Sequence, residues 1–236
     1  GSQQAITDGG ILPGVLEIGS TIAQTPSLRD RGLVGYWTFD ESSGITAYDR
    51  SGYSNNGTLT NSPTWQTSTN CKRGSCLSFD GATNYVGVPY AASLAPVNQI
   101  SFMLWANRSG VGEWRILSKT ETGGYGFNTD IAFYLFRNGT YGISSATSHG
   151  GWLFVAGVFD GRYAKLYIDG VLANTNDAGG NYSITYSCSN SLIIGAEAQC
   201  STIPTTPFFA GYVDDVRIYN RALSAAEILS IYNSTK

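Results

Sequence analysis

The chain has 236 residues, a formal net charge of −3, 13% charged residues, 29 glycines and 15 tyrosines. This length is sufficient for one large domain with a real core, and the composition favours turn-rich β-sheets over helices. Because the Lys and Arg residues are scattered, the sequence excludes a basic surface for nucleic acid or for an anionic membrane.

Residues 1–32 are predicted to form a linker or a loosely docked arm. They are short of aromatic residues and rich in Gly and Pro, although a tail at the boundary of the expressed sequence would have the same composition. The leading Gly1-Ser2 resembles an expression scar, which leaves open that export or anchoring segments were removed. No apolar run reaches the roughly 18 residues of a membrane span, so we expect no membrane insertion.

The second predicted unit, residues 33–236, begins with a strand. In the run LVGYWTF (33–39), Leu33, Trp37 and Phe39 fall on one face. A loop rich in Asp, Ser, Asn and Gly then extends to Leu59. A loop of this length in a compact domain is usually functional, but ordinary surface Asx turns are the alternative interpretation.

Asp-Gly and Asn-Gly pairs then separate short runs of β-branched and aromatic residues, which is the pattern of β-hairpins. The runs are residues 76–79, 85–88, 99–107, 115–119, 131–136, 152–159, 163–168 and 191–196. With the first and last strands they predict an all-β, antiparallel two-sheet sandwich. The only predicted helix begins with the capping box Ser224-Ala225-Ala226-Glu227 and places its apolar side on the edge of the sandwich.

The last predicted strand, residues 208–223, contains two adjacent carboxylates, Asp214 and Asp215. Strict alternation puts Tyr212, Asp214 and Val216 on one, more apolar face. A buried Asp214 anion requires compensation. Either a bound Ca²⁺ with six to eight oxygen ligands or protein donors such as backbone N–H groups and nearby arginines would provide it.

The four cysteines do not have the spacings of zinc or thioredoxin-type motifs. Of the three possible connectivities we favour the local one, Cys71 with Cys76 and Cys188 with Cys200. Such disulfides are typical of an exported protein, and reduced thiols in a cytosolic chain are the alternative.

Five ordered segments resemble the laminin-G-like jelly rolls of the concanavalin A-like lectin/glucanase superfamily. They are GLVGYWTFDE (32–41), DRSGYSNNGTL (49–59), LSFDGATNYVGVP (77–89), WLFVAGVFDGRYAKLYIDG (152–170) and GYVDDVRIYNRALSAAEI (211–228). The resemblance implies a concanavalin A-like jelly roll with a short C-terminal helix. It leaves the function open, because this fold hosts lectins, carbohydrate-binding modules, adhesins and glycosidases.

The resemblance also implies one structural calcium ion where the loop after the first strand meets the last strand. Carried over to this sequence, the predicted ligands are Asp40, Asn56 with its neighbours, Asp214 and, directly or through an intervening group, Asp215. Such an ion would join the two ends of the sandwich.

The acidic residues argue against catalysis. A glycosidase needs two carboxylates flanking the scissile bond, and the glucanases of this superfamily carry an E-x-D-x-E run that this sequence lacks. The single histidine, His149, has no partner for a zinc site or for a Ser-His-Asp arrangement.

A sugar site needs aromatic faces and polar groups near the surface. The family pattern places Trp105 and Trp152 in the core, whereas Trp114, Tyr125 and Tyr141 lie next to Gly-rich segments and are the candidate ligand contacts.

We therefore expect a non-catalytic, calcium-stabilised module of an exported or cell-surface protein that binds a glycan or a protein ligand. The alternatives are a structural or adhesive domain of a surface or pilus-like protein, and a glycosidase or lyase of the same fold.

Overall fold

The computed structural model of the chain describes residues 30–109, 115–119, 123–128, 132–136, 140–144, 150–200 and 204–236. These residues form strands, a short 3-10 helix (Ala92–Leu94) and one α-helix, α1 (Ala225–Thr235). The strands are β1 (Leu33–Trp37), β2 (Thr46–Ala47), β3 (Gly57–Thr60), β4 (Thr64–Gln66), β5 (Cys76–Asp80), β6 (Tyr85–Val88), β7 (Ile100–Arg108), β8 (Arg115–Ser118), β9 (Tyr125–Asn128), β10 (Ala132–Phe136), β11 (Thr140–Ser144), β12 (Trp152–Phe159), β13 (Tyr163–Ile168), β14 (Val171–Asp177), β15 (Leu192–Ile194), β16 (Ala196–Glu197), β17 (Thr205–Phe208) and β18 (Ala210–Tyr219).

The strands form two packed sheets, so the predicted fold class is confirmed. The first sheet has the order β14-β13-β12-β7-β18-β5-β4, with β1 also paired to β18. The second sheet has the order β11-β10-β9-β8-β15-β6-β3-β2, and β17 joins β16 to β8. The pairs are antiparallel except for the short β17–β8 contact. Residues 1–29 of the predicted linker lie outside the described residues.

The centre of the first sheet is buried on both faces, as β7 illustrates, whereas its edge strand β14 is largely exposed. Phe102 and Leu104 point into the core between the two sheets. Met103 and Trp105 belong instead to a second apolar cluster on the outer face of the first sheet. Because strand side chains alternate, one strand contributes to both cores.

Helix α1 covers that second cluster. Its capping box forms as predicted, with the Ser224 hydroxyl accepting the N–H of Glu227 and the Glu227 carboxylate accepting the N–H of Ser224. Trp105 donates to Thr235 Oγ1 at 2.9 Å and stacks on Tyr232 with the ring centroids 5.6 Å apart. The helix therefore lies on a face of the first sheet, and the prediction that it lies on the edge is wrong. Among the helices of the described ranges, none is long and apolar enough to cross a membrane.

Candidate functional site

Strand β18 has one neighbour on one side and two on the other. It pairs with β7 along its whole length, whereas its other edge pairs first with β5 and then with β1. Val213 is the last residue opposite β5 and Val216 the first opposite β1. Asp214 and Asp215 therefore lie at the fork between β5 and β1.

A β-bulge interrupts β18 at the fork. Asp214 is opposite Trp105 of β7, but Arg217 is opposite Met103, so β18 carries one more residue than its partner. Asp215 has a φ of 54°, in the left-handed region that Asp tolerates better than most residues. The extra residue changes the direction in which all later side chains point.

Because of the bulge, the side chains of β18 do not share faces in the way that strict alternation predicted. Val213 and Val216 both belong to the core between the sheets, although they are three residues apart. Unbroken alternation would have put Val216 with Tyr212 and Asp214, so that assignment is wrong. Alternation up to the bulge instead puts Asp214 on the opposite face from Val213.

Asp214 is almost completely buried, with 2% of its surface exposed. Its Oδ2 accepts the backbone N–H of Arg73 at 3.1 Å. Burial raises the pKa of Asp214 to about 8; the Arg73 N–H opposes this effect, whereas repulsion from Asp215 and Asp40 adds to it. The carboxyl group is therefore mainly neutral at pH 7.

Asp215 is compensated by protein groups. Its Oδ1 lies 3.0 Å from the guanidinium of Arg217, which also donates to the Tyr36 hydroxyl at 2.9 Å. The guanidinium stands over the Tyr36 ring, 4.3 Å from its centroid. Burial raises the pKa of Tyr36 to about 12, so the phenol stays neutral.

Two of the four predicted calcium ligands, Asp40 and Asp214, accept backbone N–H groups from the same short segment, residues 73–75. Asp40 Oδ1 accepts the N–H of Ser75 at 3.0 Å, and Asn56 Oδ1 accepts the N–H of Asp49 at 2.9 Å. Over the part of the chain that the structure describes, no group of three or more His, Cys, Asp or Glu residues is placed to hold a metal. A calcium site would also need amide and backbone carbonyl oxygens to reach six to eight ligands, so calcium stays a prediction and no function is derived through it.

Asp49 organises the loop that follows β1, a role that the sequence analysis missed. Its Oδ1 accepts the N–H groups of Tyr36 at 2.9 Å and Ser51 at 2.8 Å. Its Oδ2 accepts the Ser51 hydroxyl and the Asn55 N–H, both at 2.8 Å. The Asp49-Arg50-Ser51 sequence is a signal for such an Asx turn.

Both predicted disulfides are present, with Cα–Cα distances of 5.4 Å for Cys71–Cys76 and 5.8 Å for Cys188–Cys200. The first closes the loop whose N–H groups bind Asp214 and Asp40. The second closes a loop that lines the cavity described below.

Among the three predicted aromatic contacts, the structure describes the side chain of Tyr125 alone. Tyr125 lies in β9 and is fully buried, with its hydroxyl donating to the Leu94 carbonyl at 3.0 Å, so its prediction as a ligand contact is wrong. Tyr141 lies in β11 with its backbone opposite Leu135. Trp114 lies outside the described residues. Trp105 is buried as expected, and Trp152 is partly buried.

A cavity of about 410 Å³ lies on the outer face of the second sheet. Gly87 of β6 and Ile193 of β15, which are directly opposite each other, belong to its floor. Gly87 faces outwards because Val86 and Val88 on either side of it point into the core between the sheets. The other residues of the lining are Thr60, Tyr85, Pro89, Tyr90, Ser189, Asn190, Ser191, Gln199, Cys200 and Pro204.

The cavity reaches down to the backbone of the sheet at Gly87, because this residue has no side chain to fill it. A Cβ there would lie 3.4 Å from the ring of Tyr85, so that ring borders the glycine. Tyr90 follows β6 and is 47% exposed. Two tyrosine rings therefore border a shallow floor of backbone and Ile193.

Lys119 links Tyr90 to the disulfide-closed loop. It is fully buried, its Nζ donates to the backbone carbonyl of Asn190, and it lies 5.0 Å from the centroid of the Tyr90 ring. Burial lowers the pKa of Lys119 to about 8. Lys119 thus supports the cavity wall from behind, since it is not part of the lining.

The described lining of the cavity contains hydroxyls, amides, aromatic rings and prolines, but no carboxylate, guanidinium, ammonium or imidazole group. Such a lining can stack on an apolar face and exchange hydrogen bonds with an uncharged polar ligand.

Residues 80–229 match the family model Laminin_G_3, of the concanavalin A-like lectin/glucanases superfamily. The chain belongs to this superfamily. None of the curated proteins matches the sequence.

Several solved structures share this concanavalin A-like fold. Domain 4 of AbnA, a GH43 extracellular arabinanase from Geobacillus stearothermophilus, in complex with arabinotriose, has 18% identity and a TM-score of 0.67, over 85% of this chain and 98% of that chain. The binding domain of Paraclostridial Mosquitocidal Protein 1 has 15% identity and a TM-score of 0.68, over 88% and 53% of the two chains. The binding domain of Botulinum Neurotoxin DC, in complex with SialylT, has 15% identity and a TM-score of 0.64, over 88% and 52%. The chain thus spans about half of each toxin binding domain, and the likeness shows the fold.

Sequence reasoning missed the cavity of this concanavalin A-like domain. Tyr90 follows Pro89 at the end of a predicted strand, and Asn190 lies just inside the Cys188–Cys200 loop. An aromatic residue beside a proline at a strand end and a polar loop closed by a disulfide were the available signals.

Proposed function

We propose that the domain is a non-catalytic glycan-binding module of an exported or cell-surface protein, and that the cavity on the outer face of the second sheet binds the glycan. The observation that carries the proposal is the lining of exposed tyrosine, neutral amides and hydroxyls above a glycine floor. Sugar rings have apolar C–H faces that pack on aromatic rings, and their hydroxyls pair with amides and hydroxyls.

Tyr90 is the proposed stacking residue. The Lys119 ammonium lies over its ring, while 47% of the tyrosine surface is exposed. The lysine supports the ring from the protein side, so a sugar can pack on the exposed side.

The lining supports binding without hydrolysis. Glycosidases place two carboxyl groups about 5 Å or about 6.5–9.5 Å apart across the scissile bond. The cavity residues that the structure describes include neither Asp nor Glu. A ligand held there would meet no acid and base pair.

Two solved structures with this fold were determined with carbohydrate. The arabinanase domain is in complex with arabinotriose, and the neurotoxin binding domain is in complex with SialylT. At 18% and 15% identity they support the ligand class by analogy only. An extracellular location is supported by the two disulfides, which persist in oxidising compartments.

A glycan array combined with a reducing-sugar assay tests the proposal. We expect saturable binding to at least one glycan and no release of reducing ends. Tyr90→Ala should weaken binding about tenfold or more because a stacking face is lost. Tyr48→Ala is the matched control, since Tyr48 is 48% exposed but lies away from the cavity lining.

The other results point to the two alternatives. Turnover would identify an enzyme. No binding and no turnover would favour a structural or adhesive domain. Equal glycan affinity of the Tyr90→Ala and Tyr48→Ala variants would show that the glycan binds outside this cavity.

A further inference from the structure

Asn190 is a buried amide whose side chain makes no hydrogen bond to the residues that the structure describes. It lines the cavity, only 8% of its surface is exposed, and neither Oδ1 nor Nδ2 has a partner among the described residues. Buried polar groups are normally paired, so an unpaired amide indicates a missing partner.

Asn55 shows how the same residue behaves when it is structural. It is equally buried, at 8% exposure. Its Nδ2 donates to the Val34 carbonyl at 2.8 Å and to Ser93 Oγ at 3.2 Å. The contrast separates an amide that holds the fold together from one that has no partner in the part of the chain that the structure describes.

The main chain of Asn190 is nevertheless held in place. Lys119 donates to its carbonyl from a fully buried position, and the Cys188–Cys200 disulfide closes the surrounding loop. Because both amide atoms are covered, the side chain must rotate about its bonds to present them to a ligand. This rotation breaks no hydrogen bond to the described residues.

An amide offers a donor and an acceptor side by side. Two hydroxyls on adjacent carbons of a sugar ring offer the complementary pair, because each hydroxyl can donate or accept. The described lining contains no cationic group, so a ligand carboxylate would remain unpaired there.

We infer that Asn190 recognises two neighbouring hydroxyls of an uncharged sugar ring that packs on Tyr90. This inference rests on the proposed glycan-binding function and specifies the ligand class of the same cavity. Asn190 acts as the specificity-determining residue, and Lys119 acts as a positioning residue behind it.

The first test needs no ligand. Asn190→Ala should leave the melting temperature unchanged or slightly raised, because the amide makes no hydrogen bond within the described ranges. Asn55→Ala should lower it by about 5 °C, because paired amide groups are lost. If Asn190→Ala lowers it as much as Asn55→Ala does, the amide is structural and the inference is overturned.

The second test measures binding to a fixed panel by calorimetry. The neutral probes are arabinotriose, xylotriose, cellotriose, mannotriose and lactose, and sialyllactose is the acidic probe. We expect binding to at least one neutral probe, with affinity reduced about tenfold or more in Asn190→Ala. Asn190→Asp keeps the shape but removes the donor, so it should also bind more weakly. Periodate, which cleaves the bond between carbons with adjacent hydroxyls, should abolish binding of the same probe.

The outcomes distinguish this inference from the function on which it rests. If the wild type binds neither the panel nor any array glycan, glycan binding itself is refuted. If it binds a neutral probe and Asn190→Ala binds equally well, glycan binding stands and the role of Asn190 is refuted. Binding of sialyllactose alone, or of the periodate-treated probe, overturns the inferred ligand class.

Discussion

Asp214→Asn is expected to remove a pH dependence of stability that originates at the fork in β18. The pKa of Asp214 is raised by burial from 3.8 to about 8. Between these values the folded state keeps a proton that the unfolded state has released. The free energy of unfolding of the wild type should therefore fall as pH rises from about 4 to about 8 and level off above that range.

The pKa gives an upper limit to this effect. A rise from 3.8 to about 8 corresponds to about 6 kcal/mol in favour of the neutral carboxyl. Relaxation and a higher effective dielectric constant reduce that figure, and we expect about 2–3 kcal/mol. Asparagine has the same shape and stays neutral, so the variant should match the wild type near pH 4 and exceed its stability near pH 8.

The assay is urea unfolding of both proteins at one-unit steps from pH 4 to pH 8, in EDTA. The difference between the two curves isolates Asp214 from the other acidic residues. A difference that stays flat over this range, or one that grows in favour of the wild type, would contradict the argument from burial.

Repeating the series in excess calcium tests the predicted metal site. Calcium binds ionised carboxylates, so a site that includes Asp214 would stabilise the wild type increasingly as pH rises and would leave the asparagine variant unaffected. If calcium and EDTA give identical curves for the wild type, the calcium prediction is wrong and protein groups alone hold the acidic residues.

Three further variants test the supports of the structure. Replacing Cys188 and Cys200 by serine should lower the free energy of unfolding by about 3 kcal/mol, measured by urea titration. The same variant should lose glycan binding on the array. Wild-type protein under reducing conditions should show the same two losses. Asp49→Ala removes the acceptor of four hydrogen bonds and should lower the free energy of unfolding by about 3 kcal/mol, measured by thermal unfolding. Wild-type stability in this variant would mean that other contacts hold the loop after β1. Gly74→Ala should lower the free energy of unfolding in urea by about 2 kcal/mol. Gly74 has a φ of 57°, and a Cβ there would overlap the carboxylate of Asp40. An unchanged urea midpoint would rule out that overlap.

The parts of the fold that local chemistry dictates could be predicted from the sequence. Asp-Gly turns between apolar runs predicted the hairpins, the Ser224 to Glu227 capping box predicted the start of α1, and short spacings predicted both disulfides. Each of these signals involves residues close together in the chain, so no knowledge of the tertiary structure was needed.

The failures arise where distant segments decide the outcome. One inserted residue near Asp215 changes the faces of β18, and it is visible only against the register of β7. Tyr125 follows two glycines and looks like a loop residue, but β9 packs against the core between the sheets. The cavity combines β3, β6 and the Cys188–Cys200 loop, and no local pattern brings these three segments together.

The pairing of β1 with β18 also affects how the domain is made. Leu33 is opposite Tyr219, so the first described strand cannot complete its hydrogen bonds until synthesis has passed β18, more than 180 residues later. Long-range pairing of this kind slows folding and leaves apolar strands exposed in the interval. A nascent chain that stalls before β18 therefore presents β7 with its central neighbour missing, and chaperones or proteases would act on that form.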